Sequence, residues 1–299
     1  MTHPMTPRAA DTGDRVGLSW RGPLAAAILS NLDRIDVVEL MAEDFIDASR
    51  AQLGSARLLR SNVPVMLHGV SLGLASVGTV AARRLDRVAR VVDVIAPESW
   101  SEHLAFVRAG DIEIGHLAAP PRTMATIEGT ARNVDRAAAV LGARPLLENI
   151  ATLVDPPGSD LDEAGWVRET LSAADADLLL DLHNLHANAT NFDFDPIAYL
   201  DQIPMDRVRQ IHIAGGRWVT LTVDGLAERR LLDDHLHDVP DPVYGLLVEV
   251  AARASGPLTV ILERDGRFPL TSTLLKQIDQ ARDALREGRA RALVPAEAV

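Results

Sequence analysis

Short apolar runs alternate with longer segments of helical periodicity along almost the whole chain. Eight runs have the length and the flanking turn residues of buried strands. They lie at residues 16–20, 36–41, 63–67, 101–106, 145–148, 177–181, 209–213 and 258–263. A helical segment follows each run, at 24–31, 46–59, 81–95, 123–141, 162–173, 196–202, 242–253 and 271–287. This alternation predicts an α/β fold with a single (β/α)8 barrel of the triosephosphate-isomerase (TIM) type.

The length of 299 residues suits one such barrel, so no second domain is needed. Residues 1–14 are polar and carry two prolines, which predicts a flexible N-terminal arm. The barrel domain is expected at 15–287, and the Ala-rich residues 288–299 are expected to form a C-terminal tail.

Several predicted strands end on a residue type that binds metals. His68, Glu148, Asp181, His212 and Glu263 each close an apolar run. In a barrel of parallel strands, the active site lies at the carboxyl ends of the strands. We therefore expect these five side chains to converge on a metal site there.

Two further segments add candidates. His103 lies in the fourth predicted strand, and Asp233 and His235 lie in a polar segment, 232–238, that is predicted to be a loop. Residues two apart point to the same side of an extended backbone, so Asp233 and His235 could hold one ion without a bend. Asp181 and His183 have the same spacing.

The candidate ligands outnumber what one ion needs. Four crowded carboxylates would repel one another unless a cation lay between them, so we expect two or three ions. The chain has no cysteine, which excludes thiolate ligands and leaves iron, manganese or zinc. The full set of candidates is His68, His103, Glu148, Asp181, Asn184, His212, Asp233, His235 and Glu263.

The composition argues against several classes of partner. A formal charge of −12 disfavours binding to nucleic acid, which requires clustered basic residues. No apolar stretch approaches the roughly 20 residues of a membrane span, and the N-terminus has no apolar signal-peptide core. We expect a cytoplasmic protein with neither a nucleic-acid nor a membrane partner.

Eight short motifs follow one another between residues 16 and 269. Together they resemble the multinuclear non-heme iron-dependent oxidative (MNIO) enzymes, formerly a domain of unknown function and related to methanobactin-type peptide-modifying oxidases. The motifs are LHGVSLG (67–73), SEHLAF (101–106), LEN (147–149), DLHN (181–184), NFDFDPIAYL (191–200), IHIAG (211–215), DDH (233–235) and LERD (262–265).

The resemblance implies a TIM-type barrel that binds two or three irons, in the ferrous or a mixed-valence state. It implies an oxidoreductase that uses dioxygen to modify a ribosomally made precursor peptide, often at cysteine, and a small partner protein that recruits the peptide. Zinc or manganese could occupy the site in isolated protein. By matching position, one iron would be held by His68 and His103 with Glu148 as a bridge, a second by Asp181, His212 and Glu263, and a third by Asn184, Asp233 and His235. Glu148, Asp181 and His212 are the expected catalytic residues.

Two positions depart from the family's pattern. The family usually reads Asp-x-Asn-Asn where this chain has His183, and His-x-Ala-Gly-His where it has Gly216. One imidazole is gained and another is lost, which indicates either a compensated swap or a changed reaction.

Two other functions stay open at this point. Sugar isomerases and endonucleases of the xylose-isomerase-like barrel class also carry His, Asp and Glu at strand ends around divalent metals. A barrel that binds metal without catalysis is the other alternative, and Gly216 is its best support.

Overall fold

A computed structural model describes residues 13–110, 112–223 and 225–293. Eight parallel strands form a closed barrel in the order β1-β12-β9-β8-β7-β4-β3-β2, with helices between them, which confirms the predicted fold. The remaining four strands form two antiparallel pairs, β5-β6 and β10-β11. The strands are β1 (Arg15–Ser19), β2 (Val38–Met41), β3 (Val65–Gly69), β4 (Trp100–His103), β5 (Phe106–Ala109), β6 (Ile112–Ala118), β7 (Leu146–Glu148), β8 (Leu178–Asp181), β9 (Val208–Ile213), β10 (Gly216–Val223), β11 (Leu226–Asp233) and β12 (Thr259–Leu262).

Ten α-helices lie in the described ranges. They are α1 (Ala25–Leu29), α2 (Glu43–Ile46), α3 (Arg50–Arg60), α4 (Ala82–Ile95), α5 (Met124–Leu141), α6 (Glu163–Ala174), α7 (Leu182–Phe192), α8 (Pro196–Leu200), α9 (Asp241–Arg253) and α10 (Thr271–Ala292). None of them combines the length and the apolar composition needed to span a membrane.

The described chain divides by its contacts into two compact units. The first comprises residues 36–150 and 156–179, and the second comprises 13–35, 151–155 and 180–293. Leu40, Leu67 and Leu147 are fully buried in the first unit, as Ile211 and Ile261 are in the second. These residues come from barrel strands, whose near-continuous burial is typical of parallel strands covered on both faces.

All eight predicted barrel strands are present, with shifted ends. The fourth ends at His103, and Phe106 already belongs to the β5–β6 hairpin. The helix predicted at 46–59 is two helices, because Ser49 caps α3 in a reciprocal arrangement with Gln52. The last helix continues to Ala292, beyond its predicted end. Of the predicted arm and tail, residues 1–12 and 294–299 lie outside the described residues.

Candidate metal centre

Three neighbouring strands of the first unit carry one cluster of metal-type side chains. His68, His103 and Glu148 are buried, and each offers a ligand atom within 4.8 Å of the other two. The parallel register aligns His68 with Ser101 and aligns His103 with Glu148. Residues two apart on β4 face the same side, so these side chains share one face of the sheet. We call His68, His103 and Glu148 the first cluster.

Both imidazoles of the first cluster are anchored through Nδ1. His103 Nδ1 lies 3.2 Å from the carbonyl oxygen of Gly69, and His68 Nδ1 lies 2.8 Å from Ser101 Oγ. A carbonyl oxygen only accepts, so His103 Nδ1 carries a proton and donates it. Nε2 of His68 and Nε2 of His103 then point towards the same carboxylate oxygen, Glu148 Oε2, at 3.4 and 3.3 Å.

This geometry favours a cation between the three groups. In the neutral tautomer set by its Nδ1 contact, His103 presents the lone pair of Nε2 to the negatively charged Glu148 oxygen, which is repulsive. A metal ion, or protonation of a ring, removes the repulsion. Histidines whose second nitrogen is held by a hydrogen bond are typical of metal sites. The first cluster therefore fits a divalent metal.

Two neighbouring carboxylates of the first unit have structural contacts. Glu102, next to His103, accepts the backbone N–H groups of His103 and Leu72 at 3.0 Å each. Glu43 accepts the N–H of Val70 at 3.1 Å. Burial, followed by the charge of Glu102, raises the pKa of Glu43 above its usual value, although its hydrogen bonds with Ser71 and Val70 lower it.

The loop after β3 is fastened to α5 by one buried side chain. The Asn133 amide donates to the carbonyl oxygens of Leu74, Ser76 and Gly78 at 3.1, 3.1 and 2.9 Å. Its oxygen accepts the N–H of Val80 at 3.0 Å. Asn133 thus fixes the course of the backbone that follows His68.

A second cluster lies in the second unit. Asp181, His212 and Glu263 are buried and offer ligand atoms within 4.8 Å of one another. Asp181 ends β8, and Glu263 immediately follows β12. His212 Nδ1 lies 3.1 Å from Glu263 Oε2, while its Nε2 lies 3.1 Å from the Gln210 side-chain amide. Two carboxylates and one imidazole without thiolate are ligands that suit iron, manganese or zinc.

Asp181 also begins α7. Its Oδ1 accepts the backbone N–H of Asn184 at 2.6 Å, so Asp181 is the N-cap. The extended backbone predicted for Asp181 and His183 is therefore wrong, because the helix starts at Leu182. His183 and Asn184 lie in its first turn, and both are buried.

Asp233 and His235 lie close together, as their spacing predicts. His235 Nε2 is 2.7 Å from Asp233 Oδ2 and 3.6 Å from Glu263 Oε2, and its Nδ1 is 3.2 Å from Asp265 Oδ2. The predicted loop begins as strand, since Asp233 ends β11, and the extended backbone expected at His235 is wrong because its φ is 53°. Burial alone would lower the pKa of His235, but Asp233 and Glu263 hold it well above its usual value.

Two orienting residues were missed in the sequence. Ser101 lies two residues before His103, and Gln210 lies two residues before His212. Polar residues at that spacing in a strand point to the same face as the histidine. That pattern is the signal that could have identified them. The partner of Ser101, His68, is on the neighbouring strand and depends on register.

A family model for the RiPP precursor modification enzymes MbnB/TglH/ChrH matches residues 15–286. This chain belongs to that family. RiPPs are ribosomally made peptides that are modified after synthesis, so membership implies a peptide substrate. The family and the two buried clusters together suggest a metal site. The resemblance drawn from the eight motifs is thereby confirmed.

Relatives of similar sequence come from several bacteria. A UPF0276 protein of Streptomyces avermitilis is 34% identical over 283 residues, and the match covers 92% of this chain but only 56% of that protein. A UPF0276 protein of Caulobacter vibrioides is 32% identical over 277 residues, covering 92% of this chain and 96% of the relative. The chain thus spans about half of the first relative and nearly all of the second.

Solved structures with the same barrel are more distant. L-ribulose 3-epimerase aligns with a TM-score of 0.59 at 13% identity, over 96% of this chain and 99% of that one. A xylose isomerase domain protein from Alicyclobacillus acidocaldarius aligns with a TM-score of 0.56 at 18% identity, over 92% of this chain and 99% of that one. At these identities the likeness shows the fold, and it assigns no sugar substrate to this family member.

Proposed function

We propose that this chain is an iron-dependent oxidoreductase that uses dioxygen to modify a ribosomally made precursor peptide at cysteine. The observation that carries the proposal is the pair of buried clusters, each combining histidine with carboxylate, in a chain of a peptide-modifying family. A small partner protein that recruits the peptide belongs to the same proposal. We further propose that the enzyme works in the cytoplasm.

The donor set supports iron as the metal. Imidazole and carboxylate ligands without thiolate suit ferrous iron, and they suit manganese and zinc as well. We assign one iron to the first cluster and one to the second. A third, more labile ion is assigned to Asn184, Asp233 and His235.

When bound, iron would supply the oxidising power by reacting with dioxygen. The protein residues hold the ligands in place for that chemistry. The carbonyl of Gly69 keeps the proton of His103 on Nδ1, and the Ser101 hydroxyl can accept the Nδ1 proton that His68 would carry with a metal on its Nε2. Burial of both clusters excludes water and strengthens each electrostatic interaction within them.

Three residues are proposed to be catalytic because they would contact the metal directly. When a metal is bound, Glu148 and Asp181 would supply negative charge that favours its higher oxidation state, and His212 would supply an imidazole ligand. The Gln210 amide beside His212 Nε2 fixes the orientation of that ring.

Peptide turnover tests this function. Metal-free chain would be loaded anaerobically with Fe2+ and exposed to dioxygen with a pool of synthetic cysteine-containing peptides. The control pool would carry serine in place of each cysteine. A mass change that requires iron, dioxygen and cysteine supports the proposal. Epimerisation of ketohexoses by the Mn2+-loaded chain, with no peptide change, would favour the isomerase alternative. Bound metal with neither activity would favour the non-catalytic barrel.

A further inference from the structure

His183 is a fully buried histidine whose ring forms no hydrogen bond within the described part of the chain. Its exposed fraction is 0%, and neither ring nitrogen has a hydrogen-bond partner in the described part of the chain. Buried polar groups nearly always have partners, because leaving one unpaired costs about 1–3 kcal/mol. An imidazole with two unpaired buried nitrogens therefore indicates that something absent from the protein chain binds there.

The group facing His183 is the carboxylate of Asp233. His183 Nε2 lies 4.0 Å from Asp233 Oδ1. That oxygen is also buried without a hydrogen-bond partner among the described residues, while Asp233 Oδ2 contacts His235. Two atoms bound to one metal at about 2.1 Å each are separated by about 3 to 4.2 Å, depending on the angle between them. The 4.0 Å separation lies within this range.

The space around His183 explains the glycine at position 216. A Cβ built on Gly216 would lie 2.7 Å from His183 Nε2 and 2.1 Å from the carbonyl oxygen of Leu232. The His183 ring thus occupies the space that a side chain at 216 would enter. Gly216 is also aligned with Asp233 across the β10–β11 pair. The two departures from the family's pattern are therefore coupled in space.

A buried asparagine holds the two facing groups in register. Asn191 of α7 donates its amide to the carbonyl oxygen of Leu231 at 3.0 Å and accepts the Leu231 N–H at 2.6 Å. This pair of bonds fastens α7, which carries His183, to β11, which carries Asp233. The separation of His183 from Asp233 is thus set by a direct link between their elements.

We propose that His183 is a metal ligand that acts with Asp233. The pair would take a divalent transition metal such as iron, manganese or zinc. This inference rests on the proposed metal-dependent function, and it adds a ligand beyond the nine candidates drawn from the sequence.

Metal titration of conservative variants tests the proposal. Metal-free wild type, His183→Gln and His183→Asn would be titrated anaerobically with Mn2+ by calorimetry, and the bound metal would be counted by mass spectrometry after desalting. His186→Gln is the matched control, since His186 is a second, partly buried histidine on α7. We expect the most weakly bound Mn2+ of the wild type to be lost, or to bind at least about 100-fold more weakly, in both His183 variants alone.

The outcomes separate this inference from the proposed function. Wild-type stoichiometry and affinity in a folded His183→Gln or His183→Asn chain would overturn the ligand role and leave the first two clusters untouched. A wild type that binds neither Mn2+ nor Fe2+ would overturn the proposed function and this inference together. Thermal melting followed by circular dichroism identifies the folded variants. The amide of the glutamine variant fills much of the ring's space, which limits the cavity left behind.

Discussion

Replacing Ser101 with alanine isolates the hydrogen bond that orients His68. When His68 binds a metal through Nε2, its Nδ1 keeps a proton and donates it to Ser101 Oγ across 2.8 Å. Both residues are buried, so no water replaces the lost hydroxyl. The unpaired Nδ1–H would then cost about 1–3 kcal/mol in the metal-bound state. Orienting partners of metal-bound histidines typically contribute 10- to 100-fold to affinity, which agrees with this energy.

The assay is anaerobic titration of metal-free protein with Mn2+ in competition with a chelator. We expect Ser101→Ala to bind the metal of the first cluster about 10- to 100-fold more weakly than the wild type. Ser99→Ala is the matched control, because the Ser99 hydroxyl is buried without a hydrogen-bond partner in the described structure. Equal affinity in the wild type and both variants would refute the role of Ser101 in orienting His68.

Three further predictions concern stability and metal content. Asp181→Asn should keep the α7 cap but lose the metal of the second cluster. Asp181→Ala should lose the metal and also about 1 kcal/mol of unfolding free energy, because it removes the cap. Metal content equal to that of the wild type in both variants would contradict this prediction. Asn133→Ala should lower the unfolding free energy by about 3 kcal/mol, about 1 for each of its two N–H groups and 1 for its oxygen. A loss below about 1 kcal/mol in urea unfolding would contradict its fastening role. Glu43→Gln should raise Tm at pH 7, because the raised pKa of Glu43 means that the folded state disfavours its charge. This penalty grows as pH rises above the unfolded-state pKa, so the gain in Tm should vanish near pH 4.5. A gain in Tm that is independent of pH would contradict this prediction.

The barrel was predictable because several of its strands are short runs of mostly apolar residues. Runs such as Leu178–Asp181 and Thr259–Leu262 are buried at every position, so composition and length identify them without periodicity. The polar residues that end the strands stand out for the same reason. Eight barrel strands and the candidate ligands could thus be located in the sequence.

Helix α7 escaped prediction because its buried residues include polar ones. His183, Asn184, Asn188 and Asn191 are buried alongside Leu185, so no apolar stripe separates an inner from an outer face. Asn188 and Asn191 instead bond to the backbone of Thr152 and Leu231, which sequence spacing does not reveal.

The β10–β11 hairpin was missed because most of its side chains are exposed or half-buried. An exposed strand need not be apolar, and the pair was treated as part of the connection before the eighth strand. One signal was present, since Asp224-Gly225 is a dipeptide favoured in two-residue hairpin turns. Without the hairpin, the position of Asp233 opposite Gly216 could not be foreseen.

Iron content per chain tests the central claim most directly. The chain would be produced in iron-supplemented cells and handled without oxygen, and the wild type would be compared with His68→Ala and His212→Ala. Our account predicts at least two irons in the wild type and a partial loss in each variant, because each removes a ligand from a different cluster. A single zinc or manganese ion, no metal at all, or iron unchanged in both variants would contradict it.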